Sequence, residues 1–236
     1  MPYRKITDMY KFLDACGREH KRELALFRGQ DVDKPLLPKI ARDAPSKDTT
    51  AQERQMLLDL RRVGCAYLPD LREDDWDMLA RAQHFGMATR LLDWTSNPLS
   101  ALWFAAKDLD RKASGFVYFY TPAKEHVLSD ERGASPFTAG RTSVFRPTWN
   151  NPRITAQSGW FTVHRYSKAS GRFVALESNP NIKTHIDCWE VPGDEKPYII
   201  EDLDQLGVNY QSMFPDLEGV CRHLNWIYDD SPPPKA

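Results

Sequence analysis

Cysteine is scarce in this chain and never closely paired: Cys16, Cys65, Cys188 and Cys221 are its four, and no Cys-x-x-Cys occurs. That spacing argues against a disulfide framework and removes the usual sign of a zinc site, so the four are expected to be free thiols, mostly buried. An excess of charge is missing too. Lys and Arg total 32 against 33 Asp and Glu, so net charge gives no support to general nucleic-acid binding, although the balance leaves room for a local basic groove. No apolar run approaches the roughly 18 residues of a membrane span, and Met-Pro-Tyr-Arg-Lys is not followed by a signal-peptide apolar stretch. A soluble, cytoplasmic protein with no membrane partner is expected. The chain also lacks Gly-x-x-x-x-Gly-Lys-Ser/Thr, Gly-x-Gly-x-x-Gly, His-Glu-x-x-His and Gly-x-Ser-x-Gly, so P-loop, Rossmann, zincin and α/β-hydrolase readings lose their main support.

What is present is enough apolar material for one sizeable core: 236 residues at 41% hydrophobic content. The organising stretch is Gln83–Ala106. Gly86 stops a helix that Asp74 and Asp75 open, Thr89–Trp94 has the character of a short buried strand, and Asn97-Pro98 caps a new helix with Leu99, Leu102, Trp103 and Ala106 on one face. Before it, the pattern predicts a helix over 8–20, a strand over Leu24–Phe27 that delivers Arg28 and Gly29 to its end, and a helix from the capping box Thr50-Ala-Gln-Glu53 to about Gly64. After it come a strand at Gly115–Tyr120, a long irregular segment over 123–151 with only Ser143–Arg146 strand-like, and one helical turn at Arg153–Gln157. Strands at Trp160–His164, Phe173–Leu176 and Ile182–Val191 and helices at Asp194–Leu206 and Leu217–Tyr228 complete the expectation. The fold class is α+β, a single domain over 1–230 whose N-terminal helices pack with a mixed or antiparallel sheet, followed by a disordered proline-rich tail over 231–236.

Several polar residues sit at element boundaries in apolar surroundings. Arg28, at a strand end before Gly29, suits a bidentate grip on phosphate or carboxylate with room left for the ligand by the glycine; a structural ion pair is the equal alternative. His84 reads as a general acid or base, or as a hydrogen-bonded helix-end residue. Asp93 in an apolar strand is costly unless paired; it either pairs with Arg28 or Arg90, caps the turn, or serves catalysis. Thr95 and Ser96 stand where a strand gives way to a helix N-terminus, able to bind a ligand through their hydroxyls or merely to form the turn. Gln157 either orients a ligand amide or satisfies local backbone. Glu177 and Glu190, which end or lie in late strands, are the best-placed carboxylates for catalysis, a simply solvated strand glutamate being the alternative. No metal-binding cluster stands out, which disfavours a nuclease.

Taken together, Phe27-Arg28-Gly29, the run from Gln83 to Pro98, Arg153-Ile154 with Ala156-Gln157 and Gly159, and Phe214-Pro-Asp-Leu-Glu-Gly219 resemble the FRG domain family, in the family's order and over roughly residues 20–225. The resemblance implies a bacterial or phage-associated protein of the kind found near mobile-element and defence genes. At motif level the chain is also similar to ADP-ribosyltransferases, which implies an ADP-ribosyltransferase-like fold and NAD as cofactor: Arg28 would grip the pyrophosphate, Thr95 and Ser96 would order the nicotinamide ribose, and a late carboxylate would stabilise an oxocarbenium-like state. The chain departs from that pattern in having no Glu-x-Glu or Gln-x-Glu on a late strand, which leaves Gln157, Glu177 and Glu190 as the candidates. The expected function is a nucleotide or NAD-like pocket, either an ADP-ribosyltransferase-type effector or a noncatalytic interaction or sensor module in phage defence with a protein partner.

Overall fold

The computed structural model describes residues 3–19, 24–68, 74–109, 113–129, 135–148 and 152–229. The expected 231–236 tail lies outside them. The elements in chain order are β1 (Arg4–Lys5), α1 (Met9–Glu19), β2 (Leu26–Gln30), α2 (Thr50–Val63), α3 (Asp75–His84), β3 (Leu91–Thr95), α4 (Pro98–Ala106), β4 (Gly115–Tyr120), β5 (Ser143–Phe145), α5 (Pro152–Ala156), β6 (Gly159–Val163), β7 (Tyr166–Ser167), β8 (Arg172–Phe173), β9 (Ile186–Val191), α6 (Lys196–Gln205), α7 (Tyr210–Met213) and α8 (Leu217–Ile227). Seven strands form one mixed sheet in the order β1-β9-β4-β2-β3-β6-β5, in which only the β1–β9 pair is parallel; β7 and β8 form a separate hairpin. The fold is therefore α+β, as the pattern of elements implies.

Alternation sorts the strand residues onto two faces. Phe27, Val117, Phe119, Trp189 and Val191 pack with α1, α4 and α6 in one core cluster, while Leu26, Leu92, Trp94, Phe116, Tyr118 and Tyr120 face Leu36, Leu176 and Ile182 from irregular segments. A third cluster joins Leu57 of α2 and Trp76, Met78 and Leu79 of α3 to Leu91, Phe161 and Val163. Helix α4 lies directly on β2 and β4. A Cβ on Gly29 would stand 1.9 Å from the Ala101 carbonyl oxygen, and one on Gly115 would stand 2.0 Å from that of Ala105. Gly29 is thus required by helix-on-strand contact rather than by room for a ligand.

Several boundaries move for identifiable reasons. β2 begins at Leu26 and runs on to Gln30, because Arg28, Gly29 and Gln30 pair with Tyr118, Val117 and Phe116; Arg28 is inside the strand, not at its end. The expected strand at Phe173–Leu176 is cut to its first residue. There the Phe173 and Leu176 N–H groups donate to the carbonyls of Pro45 and Leu36, drawing the chain into the 36–45 loop. Lys183–His185 is a helical turn, so β9 starts at Ile186. The cysteines are free, but only Cys16 is buried; Cys65 and Cys221 are exposed and Cys188 is half-buried. No helix among the described residues is long and apolar enough to cross a membrane.

The capping box is also replaced. The N-cap of α2 is Thr49, and Glu53 points inward at no exposure, where its two carboxylate oxygens accept from the Arg90 backbone N–H at 2.6 Å and from Nε at 2.7 Å. Arg90 is itself 1% exposed, donates also to Thr50 Oγ1 at 3.2 Å, and lies 4.6 Å from the Phe137 ring centre. A buried ion pair adds little net stability because both charges are desolvated, but removing one partner strands the other charge in the core. Glu53→Gln is expected to destabilise the chain by about 3–5 kcal/mol in urea unfolding. A loss below about 1 kcal/mol would contradict the pairing.

Candidate functional site

β2 and β3 are neighbours in the sheet, yet their ladder consists of one pair, Phe27 opposite Thr95. β4 on one side and β6 on the other pair along the full lengths of β2 and β3. Where the β2–β3 ladder stops, a side chain takes over: the Arg28 guanidinium donates from Nη1 to the Asp93 backbone carbonyl at 2.8 Å, with the Asp93 carboxylate 3.7 Å away. Over this seam opens a cleft of about 330 Å³, at the lower end of the roughly 300–1,000 Å³ usual for ligand pockets. The seam residues Phe27, Arg28, Gly29, Asp93, Trp94 and Thr95 line it together with Gln83 and His84 from the end of α3, Phe104 from α4, Arg153 from α5, Gln157, and Phe214 after α7.

Each polar group is held in place by a traceable set of bonds. Asp93 Oδ1 accepts from Gln83 Nε2 at 2.5 Å. The Gln83 amide is oriented in turn by Thr89, whose hydroxyl donates to Gln83 Oε1 and accepts from the Leu91 N–H. The Thr95 hydroxyl is engaged by the fold as both donor and acceptor. It donates to the Gln157 carbonyl at 2.6 Å and accepts from the Asn97 N–H at 2.9 Å, tying β3 to the start of α4 and to the segment after α5. Asn97 caps α4 with Pro98 at its first position, as its sequence dictates. Ser158 adopts φ 48°, an uncommon conformation for serine, and its carbonyl accepts from the Ser96 N–H at 3.2 Å.

The far wall comes from the C-terminal part of the chain. Arg153 donates from Nε and Nη2 to Asp216 Oδ2 at 2.9 and 2.5 Å, and its guanidinium lies 5.3 Å from the Phe214 ring centre. Gln157 Nε2 donates to the Met213 carbonyl at 3.0 Å. Asp216 is also the N-cap of α8 and accepts from the Gly219 N–H, which with Arg153 holds its carboxyl below the ordinary range. A Cβ on Gly219 would sit 1.9 Å from the Phe214 carbonyl oxygen, so the glycine is what lets Phe214 fold back over the cleft.

Two buried nitrogens of cleft-lining residues have no protein partner: Arg28 Nε, a donor, and His84 Nε2, a donor or an acceptor according to the imidazole tautomer. Groups of that kind are uncommon, because each costs about 1–3 kcal/mol, more when charged, until it gains a hydrogen-bond partner. Burial, moderated by Asp93, pulls the Arg28 pKa down. Burial likewise lowers that of His84, with Asp93 raising it and Arg153 lowering it further, so the imidazole is neutral at pH 7. Behind β3, Trp94 Nε1 donates to Thr162 Oγ1 at 3.1 Å and His164 Nε2 lies 3.2 Å from the same hydroxyl; burial, with Arg28 and Arg90 nearby, pushes His164 to about 3.

The structure therefore brings Arg28, Gly29, His84, Asp93, Thr95 and Gln157 together and leaves the rest elsewhere. Ser96 is exposed and does not line the cleft. Glu190, on β9, is separated from β3 by β4 and β2 and accepts from Ser114 Oγ at 2.6 Å. Glu177 sits in the Leu176–Ser178 turn, accepts from the Leu36 N–H at 3.1 Å, and lines a different recess with Asp33, Tyr118 and Cys188. Sequence reasoning assigns no chemistry to Gln83, Phe104, Arg153 or Phe214, although the motifs around Arg153 and Phe214 mark those stretches. Among the described residues, no group of three or more His, Cys, Asp or Glu is placed to hold a metal ion.

An α+β protein whose sheet opens into an arginine-floored, aromatic-walled cleft is the class that these features define. Within it, the FRG domain family model matches residues 23–114, so the chain carries an FRG domain there. The match spans β2 through α4, and hence Arg28, His84, Asp93 and Thr95, whereas Arg153, Gln157 and Phe214 complete the cleft from beyond it. No curated protein and no solved structure matches the chain.

In an NMR titration His84 should protonate with a midpoint below 6.5, and Asp93→Asn should move it lower still, because the carboxylate favours the imidazolium. Since the unfolded chain then binds the proton more readily, the His84 contribution to stability is present above about pH 6.5 and is lost as pH falls. A His84 midpoint above 6.5 would overturn this reading of its surroundings.

Proposed function

We propose that the cleft is a nucleotide-binding site of the NAD class. One observation carries the reading: Arg28 and His84, whose Nε and Nε2 atoms are buried without a protein partner, line the same cleft as a second guanidinium, Arg153. Guanidinium donors suit the oxygens of a pyrophosphate, since their planar fork matches phosphate geometry. Phe104 and Phe214, with ring centres 6.2 Å apart, offer apolar area for a base or a nicotinamide ring. The bacterial or phage-conflict setting rests on the resemblance of the motifs.

Of the two modes for such a site, binding without transfer is favoured by a specific feature. Asp93 is the one carboxylate among the described residues lining the cleft, and it is already bonded to Gln83 and beside Arg28. In a transferase mode, Asp93 takes the place that the sequence offers to Glu177 or Glu190, facing the oxocarbenium-like carbon as nicotinamide leaves.

Thermal-shift and calorimetric titrations with NAD and ADP-ribose test the proposal. Ligand at about a hundred times its dissociation constant should add roughly 2.7 kcal/mol of stability. Arg28→Lys should lose at least about tenfold in affinity, nearly as much as Arg28→Ala, because an ammonium supplies neither the Nε donor nor the planar fork. Cooperative melting of both variants shows that they fold. Wild-type protein that binds neither ligand, or a folded Arg28→Lys that binds as well as wild type, would refute the site. Mass spectrometry for ADP-ribose on protein or nucleic acid after incubation with cell extract separates transfer from binding.

A further inference from the structure

A second recess, of about 650 Å³, is lined by the first turn of α2, by residues 137–139 and by the β7–β8 hairpin with its approach. Arg54, Arg90, Arg165 and Lys168 line it against one carboxylate, Asp48. Two of these charges are already committed. Arg90 is neutralised from beneath by Glu53, and Asp48 accepts from the Thr50 N–H at 3.0 Å, a bond that together with the Thr50 hydroxyl holds its carboxyl below the usual range. Arg54, Arg165 and Lys168 make no ion pair within 4 Å among the described residues. The segment from Arg165 to Arg172 reads Arg-Tyr-Ser-Lys-Ala-Ser-Gly-Arg, three cations with no acidic residue, in a chain of net charge −1.

The cations are presented on a fixed base. Phe173 is fully buried and its N–H donates to the Pro45 carbonyl, the Tyr166 hydroxyl donates to the Ser46 carbonyl at 3.1 Å, and the Tyr166 and Phe173 rings meet edge-on at 5.7 Å. Across the recess, the half-buried Phe137 ring lies 5.2 Å from the Arg54 guanidinium and 4.6 Å from that of Arg90.

We propose that this recess binds the phosphodiester backbone of a single-stranded nucleic acid. Cations distributed along an open recess suit a chain of phosphates better than one compact anion, and the half-buried Tyr166 ring among them offers apolar area to an unstacked base. Net charge speaks against general nucleic-acid affinity, and the proposal concerns only this local surface.

The test is fluorescence anisotropy of the full chain with a labelled single-stranded oligothymidylate at two salt concentrations. Neutralising about three phosphates predicts a log–log salt slope near −2, about 20-fold weaker binding at 200 mM than at 50 mM salt. The double variant Arg165→Glu, Lys168→Glu should lose at least about tenfold while melting at the wild-type temperature, and Arg28→Ala should bind the oligonucleotide as wild type does. No binding at 50 mM salt, or a double variant that binds normally, overturns the proposal. So does loss of binding in Arg28→Ala, which would place the strand in the cleft, or an acidic peptide that binds more tightly than the oligonucleotide. Because the probe is not NAD and the mutated residues are outside the cleft, failure here is distinct from failure of the nucleotide-binding reading.

Discussion

The bond from Arg28 Nη1 to the Asp93 carbonyl is the constraint on which the site depends. Two antiparallel strands that share one register pair need another tie to stay adjacent, and a hydrogen bond from a charged donor is worth more than a ladder bond, about 1.5–3 kcal/mol. The guanidinium supplies that tie while keeping the seam open. Its cost is an Nε left without a protein acceptor in a residue that lines the cleft.

The surrounding parts hold that seam from several directions. Helix α4 is pressed against β2 at Gly29, so the strand bearing Arg28 cannot shift toward the helix. The Gln83–Asp93 bond ties α3 to β3, and Thr95 ties β3 to α4 and to Gln157. Asp216 then binds Arg153 while capping α8, bringing Phe214 to the opposite wall. The individual surface contacts add little stability, since Arg153 and Asp216 are each about one-third exposed. Their effect is on geometry: a cleft assembled from residues 27 to 214 keeps one shape.

Local signals in the sequence are read correctly where the structure uses them locally. Asn97-Pro98 caps α4, Asp74 caps α3, and the aromatic run Gly115–Tyr120 is a buried strand inside the sheet. Misreadings occur where a distant partner intervenes. Glu53 has the spacing of a capping box, but Arg90, 37 residues on, takes its carboxylate into the core. Gly29 beside Arg28 suggests space for a ligand, and only the position of Ala101 shows that the space is filled by a helix. Polar character in apolar surroundings marks Arg28, His84, Asp93 and Thr95, and the structure sets all four on one cleft, although Arg28 and Asp93 stand inside strands rather than at their ends. Arg153 and Phe214 escape that logic. Their roles depend on Asp216 and Gly219, contacts that no helical or strand periodicity contains.

The role proposed for Arg28 and His84 is to hold a phosphate-bearing ligand in the cleft. A crystal structure of the protein with ADP-ribose tests it most directly. Pyrophosphate oxygens are expected within hydrogen-bond distance of Arg28 Nε, with the ligand enclosed by Phe104, Arg153 and Phe214. ADP-ribose bound elsewhere on the surface, or an Arg28 Nε that faces only solvent beside a bound ligand, would contradict it.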